Sequence, residues 1–205
     1  MTMTIAADLD ENRLPGPPLS RVADAALRQG RPVILRDAAG AVLAQPAARV
    51  SIASLHFAIQ YSSGLIHAAM PSACLDRLRI PDQQVLSTEN SGTGFTVAVD
   101  AASGIGTGIS AADRAHTLRV LADPSSTPDE LTRPGHVLPI RCSDEGYAGR
   151  RRVWELAVDF VRAAGHAPVV MVCRLLDDQG DILTSEAAVE FGLGHRIPLS
   201  ARTSR

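Results

Sequence analysis

The side chains most able to do chemistry in this 205-residue sequence are histidines and arginines. His136 lies in the run RPGHVLP, and an imidazole ordinarily titrates near neutral pH, so it can take up or deliver a proton during turnover. The alternative is that it only hydrogen-bonds within a turn. Arg150, Arg151 and Arg152 are consecutive, and Arg174 follows Cys173 at the end of an apolar run. A guanidinium donates in a fixed fork to carboxylate or phosphate, so these residues suit an anionic small molecule. A solvated turn is the other reading of the RRR run.

Composition narrows the chemistry further. All 20 basic residues are arginine and lysine is absent, which removes any Schiff base to a carbonyl substrate or to pyridoxal phosphate. Cys74, Cys142 and Cys173 are odd in number and widely spaced, unlike a disulfide framework or a metal knuckle, and read as buried reduced thiols. The formal net charge of -2 gives no basic stripe for nucleic acid. No apolar run is long enough to span a bilayer, and the N-terminus MTMTIAADLDENRLPGPP has acidic residues and no apolar core of a signal peptide. A cytoplasmic protein with no membrane or nucleic-acid partner is expected.

Alternating helical and extended patterns must position these groups. Residues 1–18 read as a flexible arm, 19–200 as one domain and 201–205 as a flexible tail. Ser20 precedes a helical pattern that stops at Gly30, PVIL at 32–35 and AVLA at 41–44 read as strands around a turn, and residues 51–61 read as a helix. A buried strand is expected over 64–69, a short helix over 71–78 and a strand over GFTVAVDA at 94–101. SAAD at 110–113 matches a capping box that opens a helix through Leu121. HVLPIRC is extended, Val153–Ala164 is an amphipathic helix, VVMVCRLL is a buried strand, Ser185 should cap a last helix, and RIPL closes as a strand. This mixture without a strict βαβ rhythm predicts an α+β domain with a mixed sheet and flanking helices.

Three stretches, GTGFTVAVDAASGIGTGISAADRAHTLR (92–119), LTRPGHVLPIR (131–141) and ELAVDFVRAAGHAPVVMVCRLLDDQGD (155–181), resemble the 3,4-dihydroxy-2-butanone 4-phosphate synthases in order and spacing. The likeness runs from residue 20 to about 199. It implies that family's fold, a homodimer with active sites near the subunit interface, and conversion of ribulose 5-phosphate to 3,4-dihydroxy-2-butanone 4-phosphate and formate with magnesium. By this resemblance His136 matches the catalytic histidine, and Thr107, Ser110, Asp113 and Arg114 match the substrate-binding GISAADR segment. Arg150 matches a phosphate-holding arginine and Glu155 the glutamate of the GGHTEA motif.

The departures from the family pattern weigh as much. The acidic loop after the first strand is replaced by RDAAGAVLAQP, which lacks the metal-binding glutamate, and the metal-binding histidine of GGHT is Val153. An essential glutamate is replaced by Arg174, and a cysteine by His67, a second candidate acid or base or else a satisfied strand-end histidine. Trp154 replaces a phosphate-contacting threonine and either lines a more apolar pocket or packs in the core. Magnesium takes hard oxygen ligands, usually carboxylates, so the expectation is a site of guanidiniums without carboxylates, with no metal and no cofactor. The reading that follows is a repurposed enzyme doing metal-independent acid–base chemistry (isomerisation, cyclisation or elimination) on an anionic substrate in specialised metabolism. The alternatives are a catalytically inactive homologue that binds a ligand or pairs with an active subunit, and retention of the parent synthase activity in riboflavin biosynthesis.

Overall fold

The computed structural model describes residues 19–86, 88 and 92–202. The proposed arm at 1–18 lies outside the described residues. A seven-stranded mixed sheet forms the centre, in the order β4-β5-β3-β6-β2-β1-β7. Its strands are β1 (Val33–Asp37), β2 (Gly40–Pro46), β3 (His67–Pro71), β4 (Val99–Ala101), β5 (Leu131–Cys142), β6 (Val170–Arg174) and β7 (Leu199–Arg202). β3 pairs parallel with β5 and β1 parallel with β7, and the remaining pairs are antiparallel. The fold is α+β, as the mixed pattern predicts. β7 continues to Arg202, two residues into the segment read as a tail.

The helices are α1 (Arg21–Arg28), α2 (Ile52–Gln60), α3 (Ser72–Arg77), α4 (Ala111–Ala122), α5 (Val153–Ala163) and α6 (Ala187–His195). Helices cover both faces of the sheet because the strands are apolar on both. On one side Leu55 and Ala58 of α2 and Leu118 and Leu121 of α4 pack on Ile34, Leu43, Ala68 and Met171. On the other, α1 and α5 pack on Val33, Leu35, Ala69 and Val172. In α5 the buried positions Val153, Leu156, Ala157, Phe160 and Val161 recur at helical spacing, and burial of each large aliphatic stabilises by roughly 1.5–3 kcal/mol.

Local signals account for most element ends. Ser20 caps α1 by accepting from the Ala23 N–H, and Ser110 caps α4 by accepting from the Asp113 N–H. Ser185 does not cap α6. Its hydroxyl donates to the Asp37 carbonyl, and the Thr184 side chain accepts from Ala187 N–H instead. The strand expected over 94–101 is also shorter, since only Val99–Ala101 pair continuously and Phe95 and Thr96 make single bridges to Ile140 and Asp82. Gly94 passes so close to Arg141 that a Cβ there would meet it at 3.3 Å, and its carbonyl accepts from the Arg141 N–H at 2.8 Å. All three cysteines are free thiols, and burial pushes Cys173 up to about 12. Among the described residues, no helix is long and apolar enough to cross a membrane.

Candidate functional site

His136 is positioned by an irregularity in β5. Val137 pairs with Val99, whereas Thr132 pairs with Asp100, so residues 133–136 bulge out between adjacent pairing positions. Gly135 makes this possible, because a Cβ there would lie 2.0 Å from the Val99 carbonyl carbon. The bulge brings His136 onto Asp100, whose Oδ1 accepts from the His136 N–H at 3.0 Å while Oδ2 lies 2.7 Å from Nδ1. Asp100 is 5% exposed. A carboxylate partner assigns the proton to Nδ1 and leaves Nε2 as the nitrogen available for chemistry.

The GISAADR segment builds the surroundings of this pair. Asp113 accepts from the amides of Gly106 at 3.2 Å and Gly108 at 3.0 Å, and these contacts, Gly106 first, hold its carboxylate below its ordinary range. Gly108, at φ +87°, lies directly over the pair, and a Cβ there would meet Asp100 Oδ2 at 2.1 Å and His136 Nδ1 at 2.6 Å. Ser110 and Asp113 therefore organise the loop, and Thr107 is exposed on it. Arg114 is 6% exposed and donates from Nη1 to the Gly64 carbonyl at 2.6 Å, while its Nε has no partner. Arg114 and His136 line a cavity of about 370 Å³ together with Gly64, Leu65, Ile109 and Leu138.

The other nominated residues form two further groups outside this cavity lining. His67, at the start of β3, is 8% exposed, lies with Nδ1 3.2 Å from the Leu138 carbonyl and stacks on Phe95 at 5.6 Å. Burial lowers its pKa to about 4, so it is neutral at physiological pH. The Trp154 ring lies 6.3 Å from His67, and the Arg174 guanidinium sits over the indole at 5.1 Å. Both Arg174 amino groups donate to Asp37, at 2.7 Å each. In the last group Arg150 lies 3.4 Å from Glu155 and donates to the Arg141 carbonyl. Glu155 is 1% exposed with an unpartnered Oε2, and burial raises its pKa. Arg151 is exposed, and the Arg152 guanidinium approaches Gly92.

Two expectations change here. Guanidiniums without carboxylates do not describe this site, since the replaced loop still carries Asp37, which neutralises Arg174, and Glu155 faces Arg150. The lining of the His136 cavity takes its guanidinium from Arg114, and none of Arg150, Arg151, Arg152 and Arg174 is part of that lining. Asp100, Asp37 and Phe95 were missed. An isolated acid inside the apolar run VAVDA was the one signal for Asp100.

A divalent cation does not fit the β1–β2 hairpin as built. Asp37 is the only acid between Val33 and Pro46, and both its oxygens are held by a cation already. Among the described residues no group of three or more His, Cys, Asp or Glu side chains gathers as a metal site would need.

Comparison with known proteins agrees with the fold. The family model for 3,4-dihydroxy-2-butanone 4-phosphate synthase matches residues 21–203. The riboflavin biosynthesis protein RibBA of Salinispora tropica is 38% identical over 183 residues, covering 86% of this chain and 45% of the relative. That of Mycobacterium tuberculosis is 41% identical over 145 residues, covering 70% and 34%. The chain thus spans less than half the length of these relatives. The synthase structure from Candida albicans superposes with a TM-score of 0.83 at 30% identity, over 91% of this chain and 94% of that one. A synthase in complex with two magnesium ions gives 0.83 at 30% identity, over 88% and 91%. On sequence and fold together, the chain belongs to the 3,4-dihydroxy-2-butanone 4-phosphate synthase family.

Proposed function

We propose that this domain is an acid–base enzyme that moves a proton on a small anionic molecule, with His136 as the proton-transfer group and Asp100 as the residue that orients it. The observation that carries this is the 2.7 Å contact between His136 Nδ1 and Asp100 beside an open cavity. Base-initiated isomerisation, cyclisation and elimination begin with proton removal, and a positioned imidazole contributes roughly 10²–10⁴ to such a step. The reading needs no metal at the β1–β2 hairpin, where Asp37 is already paired with Arg174. The relatives reported above are riboflavin-pathway proteins, which supports a role connected with riboflavin biosynthesis over one in specialised metabolism.

A second reading is the full synthase reaction. It is favoured by the 38% identity to a riboflavin biosynthesis protein over most of the chain, with His136 in place. A homodimer is the assembly proposed under either reading. The two separate when ribulose 5-phosphate in deuterated water is followed by proton NMR, with magnesium and with chelator. Deuterium uptake that survives chelator, without formate release, supports the acid–base reading. Magnesium-dependent formate release supports the synthase, and neither deuterium uptake nor formate from any ketose phosphate of a panel leaves an inactive homologue.

A further inference from the structure

Resting on that acid–base reading, we infer that Arg114 is the oxyanion-binding residue of the His136 cavity. The other guanidiniums considered for this task lie elsewhere: Arg174 pairs with Asp37, Arg150 with Glu155, Arg151 is exposed, and Arg152 lies against Gly92. Arg114 is more than nine-tenths buried, lines the cavity with His136, and keeps an Nε with no acceptor. A cation so desolvated and so incompletely satisfied binds an incoming anion more strongly than a surface arginine can.

The nearby acids make no hydrogen bond to it, although the Asp100 charge reaches it. Both oxygens of Asp100 are taken by His136, and Asp113 turns its oxygens to the amides of Gly106 and Gly108. Leu65 and Ile109, 51% and 53% exposed, stand in the same cavity wall and supply apolar surface that a bound substrate would shield from water. The step balances within these groups. His136 Nε2 takes the proton from the carbon next to the carbonyl, the C–H electron pair becomes the carbon–carbon double bond, and the carbonyl π pair moves onto oxygen. Arg114 donates to that oxyanion, and return of the proton from the imidazolium to the same carbon gives exchange; where that carbon carries a hydroxyl, transfer of the hydroxyl proton to the oxyanion and delivery of the imidazolium proton to the former carbonyl carbon give the isomer.

The test uses 2-phosphoglycolate, whose planar carboxylate mimics the two oxygens of an enediolate, and glycerol 3-phosphate, which has the phosphate alone. Calorimetric titration of the whole protein should show Arg114→Gln weakening phosphoglycolate by about 10- to 100-fold, the range of a hydrogen bond to a charged group, with glycerol 3-phosphate little changed. Should the glutamine variant not fold, Arg114→Lys, which keeps the charge and can still donate to the Gly64 carbonyl, decides. A loss of about threefold or more supports the inference, since an ammonium lacks the planar fork, and unchanged affinity overturns it. Equal loss for both ligands also overturns it, by placing phosphate rather than oxyanion on Arg114. No saturable binding of phosphoglycolate to the wild type up to about 10 mM overturns it as well. Arg114-dependent binding without any deuterium exchange leaves this inference standing and removes the acid–base reading, so the two failures are distinguishable.

Discussion

Protonation of His67 should destabilise the protein on acidification, by an amount set by its burial. Burial lowers its pKa from 6.5 to about 4 because the charged ring would lose its water among Phe95, Trp154 and the start of β3, and the hydrogen bond to Leu138 only partly opposes this. Between those two values the unfolded chain binds a proton that the folded protein refuses. Stability from this residue is therefore complete above about pH 6.5 and lost as pH falls toward 4. A gap of about 2.5 units at about 1.4 kcal/mol each amounts to about 3 kcal/mol, a large part of the 5–15 kcal/mol that usually holds a domain together. Glu155 and Asp159 act with the opposite sign, because burial raises their pKa values and the folded state keeps those protons longer.

The contribution of His67 is isolated by comparing the wild type with His67→Asn, whose amide can still donate to the Leu138 carbonyl. Urea unfolding of both proteins between pH 7.5 and 4 should show their difference in stability changing by about 3 kcal/mol. Parallel curves would refute the reasoning, as would a His67 ring signal titrating near its ordinary value. The same burial restricts His67 as a catalyst, since a ring neutral at pH 7 lacks the acidic imidazolium proton that a general acid delivers.

Three other outcomes follow from the geometry. Asp37→Ala leaves Arg174 without its carboxylate at a site only 24% exposed, and should cost about 2–3 kcal/mol, or about 4–12 °C in Tm; an unchanged Tm would reduce the pair to an ordinary surface contact. Gly108→Ala forces a Cβ against Asp100 and His136 at positive φ, and should lower stability by about 2 kcal/mol or more and displace the pair; a wild-type urea midpoint would contradict this. Light scattering at micromolar concentration should give the mass of a dimer, and a monomer would count against the proposed assembly.

Local signals made most of the fold legible. Ser20, the SAAD run and the apolar stripe of α5 each report on neighbours a few residues away, and their elements form where expected. What escaped was set by contacts between distant segments. Asp100 meets His136 across 36 residues and Asp37 meets Arg174 across 137, and neither pairing leaves a trace in periodicity. Motif resemblance placed His136 and Arg114 in a common site, yet it could not say that Arg150 and Arg174 would each find a carboxylate. Ser185 failed as a cap for a similar reason, because the Asp37 carbonyl on β1 competes for its hydroxyl.

Deuterium incorporation into ribulose 5-phosphate by wild type and His136→Gln, side by side in chelator, tests the central claim most directly. A glutamine keeps a polar side chain but cannot accept and return a proton, so exchange should be present in the wild type and fall by roughly 10²–10⁴ in the variant. Exchange equal in the two proteins, or appearing only when magnesium is restored, would contradict the account.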